Sequence, residues 1–156
     1  MEILSAPGIE QLDASARDAL QRVAAVALAR HPLANAVQLV LVDDGYMQRL
    51  NSTYRRKQTT TDVLSFDFAL DAGGESPFQV TDRLEKTGGE IYISLSQALL
   101  QADERNVTLV EELSRLLTHG LLHLSGYEHD TEEELLHMER ETDALLQASG
   151  LLPVST

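Results

Sequence analysis

The chain contains no cysteine, few basic side chains and no long apolar run. Without cysteine, neither a thiolate zinc site nor a disulfide scaffold is available, a composition that suits a reducing cytoplasm. Any metal must be held by histidine and carboxylate. Nowhere do eighteen apolar residues follow one another, and Met1-Glu-Ile-Leu-Ser5 lacks a basic region leading into an apolar stretch, so a cytoplasmic protein without a membrane segment is expected. Only 12 lysines and arginines stand against 25 aspartates and glutamates, a net charge of -13. That balance argues against generic nucleic-acid binding, which needs clustered cations to neutralise phosphates. The acidic excess is concentrated, however, at Asp103-Glu104, Glu111-Glu112 and the stretch from Glu128 to Glu141. Arg55, Arg56 and Lys57 form the densest basic run, with Arg83 and Lys86 further on, which leaves room for a local basic groove.

At 156 residues the chain is expected to form one domain, residues 1–156, large enough for a core without covalent staples. Apolar residues at helical spacing predict a helix from Ile9 to Arg30. Further helices are expected at about 45–54, 94–104 and 108–124, and a last one opened by the capping box Thr131-Glu-Glu-Glu134. Strands are expected at 2–5, 37–42, 63–69 and 90–94. Leu70 to Gly89, with Gly73-Gly74, Pro77 and Gly88-Gly89 among charged residues, predicts a long loop or arm. The class is therefore α/β (α+β): a mixed four-stranded sheet with about five surrounding helices. A helix lies in the spacer between the second and third strands, which favours a parallel pair there.

The most apolar helix also carries the most informative motif, Thr118-His-Gly-Leu-Leu-His-Leu-Ser-Gly-Tyr-Glu-His-Asp130. His119 and His123 are one helical turn apart and stack on one face. Gly126 follows where a helix can end in a left-handed turn. His129 could then swing beneath the helix end as a third nitrogen ligand. A fourth tetrahedral position would be left for water, the arrangement of catalytic zinc, with one ion per chain. A solitary histidine is more commonly a hydrogen-bonded structural residue, the reading that fits His31 and His137. Asp130 and Glu128 are candidate outer acceptors for an imidazole N–H, with capping of the next helix as the rival role for Asp130. Tyr127 could stack on a base or simply pack, and packing is the favoured reading.

Together with that motif, the run Leu50-Asn51-x-x-Tyr54-Arg55-x-Lys57-x-x-x-Thr61-Asp62-Val63-Leu64-Ser65-Phe66 and Gly89-Glu90-Ile91-x-Ile93-Ser94 resembles the YbeY family of bacterial rRNA maturation factors. The resemblance covers about Leu50 to Asp130. It implies a metal-dependent endoribonuclease specific for single strands, acting in ribosomal RNA maturation and ribosome quality control. It also implies single-stranded ribosomal RNA and the ribosome or small-subunit assembly factors as partners. The family's three zinc ligands carry over to His119, His123 and His129, and its catalytic arginine to Arg55. Arg56 and Lys57 become candidates for RNA positioning, Asn51 for pinning the loop, and Ser65 and Phe66 for support from a strand end. The sequence departs from the usual pattern at Gln58, Thr60, Asp67, Glu90 and Glu128, and its glycine-rich arm is long.

The chemistry follows from the residue types. Three neutral imidazoles leave zinc its full double charge, which lowers the pKa of a bound water from 15.7 to about 7. The resulting hydroxide would attack a phosphodiester, or act as general base on a ribose 2′-hydroxyl, while Arg55 pairs with the phosphoryl oxygens. The same histidine spacing occurs in metzincin peptidases, where a glutamate follows the first histidine as general base; here Gly120 stands there. A third reading is a ribosome-assembly protein whose metal only staples the helix to its following turn.

Overall fold

The computed structural model describes residues 1–33, 36–54, 63–67 and 87–151. The elements run β1 (Glu2–Ser5), α1 (Ala14–Arg30), β2 (Ala36–Val42), α2 (Asp44–Tyr54), β3 (Val63–Asp67), β4 (Thr87–Ser94), α3 (Leu95–Arg105), α4 (Leu109–Leu124) and α5 (Glu132–Ala148). The α/β class expected from the sequence holds. Three strands, β1, β2 and β4, lie side by side in parallel, and β3 adds to β4 antiparallel in the order β1-β2-β4-β3.

Local chemistry sets the helix ends. The Asp13 carboxylate accepts the Ala16 N–H at 2.8 Å, so α1 begins after it rather than at Ile9. Ile9 and Leu12, which extended the apolar pattern upstream, pack on the core from outside the helix. Ser94 and Thr108 cap α3 and α4, and Thr131 with Glu134 forms the expected capping box on α5.

The expected parallel pairing of the second and third strands is not found. β2 takes β4 as its parallel neighbour, and β3 runs the other way on the far side of β4. A helical connection permits a parallel crossover without making the joined strands adjacent. The fully buried Ile91, Tyr92 and Ile93 claim the inner position for β4. β4 also starts earlier than expected, at Thr87, so Gly88 and Gly89 belong to a strand rather than to the arm. Ala36 pairs with Thr87 and Val37 with Gly89, leaving Gly88 as the extra residue of an irregularity, a common setting for a strand glycine. The rest of the expected arm, and residues 68 and 69 of the expected third strand, lie outside the described residues.

One sheet face carries Leu39, Leu41, Ile91 and Ile93 into the larger core, shared with α1, α4 and α5. The other carries Val40, Val42 and Tyr92 against Met47 and Leu50 of α2. Helix α4 is the hub: it touches α1, α3, α5, β3 and β4, and Leu113, Leu116, Leu117, Leu121 and Leu122 are buried along it. It packs tightly on the sheet at Gly120, where an added Cβ would stand 2.7 Å from Ile91 Cγ2. The hydroxyl of Ser65 on β3 donates to the Gly120 carbonyl at 3.4 Å. At the other end of α4 the buried Glu112 carboxylate accepts from Arg115 Nη2, from Arg115 Nε at 3.0 Å, and pairs with Arg105 Nε at 3.5 Å, tying α3 to α4.

Two stability predictions follow from these contacts. Gly120→Ala should cost about 1–3 kcal/mol by overpacking, lowering Tm by roughly 2–4 °C for each kcal/mol. Combining it with Ile91→Ala should cost less than the sum of the two single changes, whereas strict additivity in thermal melts would deny the contact. Glu112→Ala should cost about 1–3 kcal/mol in urea unfolding; a variant as stable as the parent would show that the ion pairs contribute nothing net.

Candidate metal centre

Helix α4 ends at Leu124, one residue after His123. Ser125 is its cap and Gly126 takes φ +108°, a left-handed conformation that a side chain would strain. The Gly126 N–H reaches the His123 carbonyl at 3.1 Å and the Tyr127 N–H the Leu122 carbonyl at 2.9 Å, the paired bonds of a Schellman turn. The expectation for Gly126 is met, and the turn reverses the chain toward the helix it has just left.

The consequence is geometric. His129, exposed, comes back against the half-buried His123, with ring centroids 4.8 Å apart and planes at 72°. Two imidazoles bound to one tetrahedral zinc, each through nitrogen at about 2.1 Å, place their ring centres about 5 Å apart. The pair therefore fits a shared ion. His119 is half-buried one turn earlier on α4. Among the described residues, no group of three or more histidine, aspartate or glutamate side chains is gathered as a ready-made metal shell.

His123 Nδ1 lies 2.9 Å from the carbonyl oxygen of Tyr127. Only a protonated Nδ1 can donate to a carbonyl, so the lone pair of the neutral ring resides on Nε2. A backbone carbonyl thus does for His123 what the sequence reading assigned to Glu128 or Asp130. Carbonyls carry no sequence signal of their own. The signal available was Gly126, since a Schellman turn at that position brings the carbonyl four residues on within reach of the His123 ring. Glu128 and Asp130 are both exposed and hydrogen-bond to each other, which raises the Glu128 carboxyl above its ordinary range; repulsion by Asp130 adds to this and His129 opposes it. Capping is not the role of Asp130, because Thr131 caps α5.

His31 and His137 take structural places. His31 caps the C-terminus of α1, its Nε2–H donates to the Glu141 carboxylate, and its ring meets Tyr127 edge-on at 5.4 Å. His137 stacks on the Tyr127 ring, its plane within 7° and the centroids 5.1 Å apart. Burial pushes the Tyr127 hydroxyl up, with the Glu141 carboxylate adding to the shift and Arg30 opposing it. Of the upstream motif, Asn51 is buried in α2 and Ser65 joins β3 to α4, the support expected of it. Arg55, Arg56 and Lys57 lie outside the described residues, as does the side chain of Phe66.

Gly120 also bears on the chemistry available. The peptidase general base would have to stand where a Cβ already collides with Ile91, so no glutamate fits at that position.

The family model described as Endoribonuclease YbeY matches residues 6–150. The Endoribonuclease YbeY of Moorella thermoacetica is 40% identical over 134 residues, 85% of each chain. That of Desulforamulus reducens is 41% identical over 115 residues, covering 74% of this chain and 72% of the relative. The solution structure of TM1509 from Thermotoga maritima shares the fold, with a TM-score of 0.58 over 94% of this chain and 89% of that one, at 22% identity. With motif, topology and relatives in agreement over nearly its whole length, the chain belongs to the YbeY endoribonuclease family.

Proposed function

We propose that the protein is a zinc-dependent endoribonuclease that cuts single-stranded ribosomal RNA during rRNA maturation and ribosome quality control in the cytoplasm, working with the ribosome or small-subunit assembly factors. The observation that carries the reading is the juxtaposition of His123 and His129, with the His123 tautomer already set to offer Nε2. His119, His123 and His129 would hold one ion. Such an ion, when bound, supplies the positive charge that ionises water at neutral pH.

The remaining work belongs to the chain. Arg55, which follows α2 directly, pairs with the phosphoryl oxygens as charge develops on them, because its planar fork matches two oxygens at once. Arg56 and Lys57 align the backbone of the RNA strand. Glu128 and Asp130 flank His129 as carboxylates and orient it. Among the described residues no helix is long and apolar enough to cross a membrane, in keeping with a ribosome-directed role.

The test compares wild type, Arg55→Ala and His123→Ala on unstructured RNA and on duplex RNA, with metal content measured in each preparation. Wild type should carry close to one zinc per chain, cut the unstructured strand and spare the duplex. Arg55→Ala should keep its metal and lose about 10²-fold or more in rate. His123→Ala should lose both metal and cleavage. Normal cutting by Arg55→Ala would remove that residue from the mechanism, and a metal-loaded wild type that cuts no RNA would favour a purely structural ion.

A further inference from the structure

The carbonyl that holds His123 belongs to Tyr127, whose ring makes two aromatic contacts. Tyr127 is fixed at its amide by Leu122 and at its carbonyl by His123. Its ring is held between two imidazoles from distant parts of the chain, His31 edge-on at 5.4 Å and His137 stacked at 5.1 Å. His31 is itself anchored, and His137 is carried on α5. Glu141 of α5 accepts from His31 and, at 3.2 Å, from Arg30 Nη1, so the end of α1 is stapled to the helix that carries His137. A ring gripped on an edge and a face cannot rotate without breaking a contact, and the peptide plane attached to it is confined in turn.

We propose that the clamp of His31 and His137 around Tyr127 makes Tyr127 a positioning residue for the metal centre: it aims the 127 carbonyl at His123 Nδ1 and so keeps Nε2 presented as a ligand. The two histidines outside the ligand motif then serve the site at one remove. This rests on the metal-centre reading above, but the orientation of the His123 ring is a property of the metal-free protein and is measured there. The ring rather than the hydroxyl does the work, since both contacts are made by the aromatic system.

The experiment records imidazole nitrogen spectra of metal-free protein, at a pH where histidine is neutral, and zinc affinity by competition titration. It uses wild type, Tyr127→Phe, Tyr127→Ala and His137→Ala. Wild type and Tyr127→Phe should show a single His123 tautomer protonated at Nδ1 and equal zinc affinity. Tyr127→Ala should show exchange between tautomers and bind zinc about 10-fold or more weakly, the usual scale for losing an outer hydrogen-bond partner. His137→Ala changes an exposed side chain that spares the core, and should weaken binding by about two- to tenfold, the range one aromatic pair spans. A fixed Nδ1–H tautomer and unchanged zinc affinity in Tyr127→Ala overturn the clamp. Should Tyr127→Ala fail to fold, His137→Ala decides on the same two readouts, unchanged values sinking the idea. A Tyr127→Phe variant as impaired as Tyr127→Ala would assign the effect to the hydroxyl and overturn it as well. Wild type that binds no zinc would defeat the proposed function, while the tautomer comparison would still decide the clamp.

Discussion

The absence of a side chain at residue 120 lets α4 lie directly on the sheet, and the rest of the site is arranged around that contact. With an added Cβ 2.7 Å from Ile91 Cγ2, any other residue there would force the helix or the Ile91 side chain to shift. Gly120 sits between the two helical histidines, so the contact fixes the part of α4 that carries His119 and His123. It also leaves the Gly120 carbonyl within reach of Ser65 on the edge strand. A glycine inside a helix costs about 1 kcal/mol against alanine, and here that cost is offset by burial of the leucines on either side.

From this seat the helix exit does the second job. The left-handed Gly126 reverses the chain, returns His129 to His123, and in the same step delivers the Tyr127 carbonyl to the His123 ring. One backbone conformation thus brings His129 to His123 and supplies the acceptor that fixes the His123 ring. Both effects are local and need only the Schellman bonds to form. Their steadiness depends on distant elements, because the Tyr127 ring packs against His31 from α1 and His137 from α5.

Much of this was legible in the sequence, and the limits have physical causes. The histidine spacing, the glycine turn and the Thr131 capping box are written in short-range periods that no tertiary contact has to complete. The direction of β3 is different, since pairing is chosen by which strand can be buried on both faces, and β4 wins that place through Ile91, Tyr92 and Ile93. Gly88 and Gly89 read as loop by propensity; Gly89 joins the strand because Val37 and Asp67 pair with it from either side, and Gly88 is carried beside it as the extra residue. Ile9 and Leu12 continued an apolar helical pattern although Asp13 ends it, for packing on a core does not require helical backbone. Least visible was the Tyr127 carbonyl, a group every residue possesses and only a fold can aim.

The three histidines are also unequal in how firmly they are held. His119 and His123 ride on a helix whose Leu113, Leu116, Leu117, Leu121 and Leu122 are buried. At about 1.5–3 kcal/mol for each fully buried side chain, turning that helix to move its histidines would be costly. His129 is exposed in the segment between α4 and α5, anchored on one side by Gly126 and on the other by the Thr131 cap. Two of the histidines are thus held by packing, while the third sits on a short tether. That division accords with a His123–His129 ring pair 4.8 Å apart and no gathered group of three metal-binding side chains among the described residues. Rigidity confers the geometry and the tether accommodates the ion, and each is supplied by a different kind of sequence: a leucine-rich helix for the first, a glycine-initiated turn for the second.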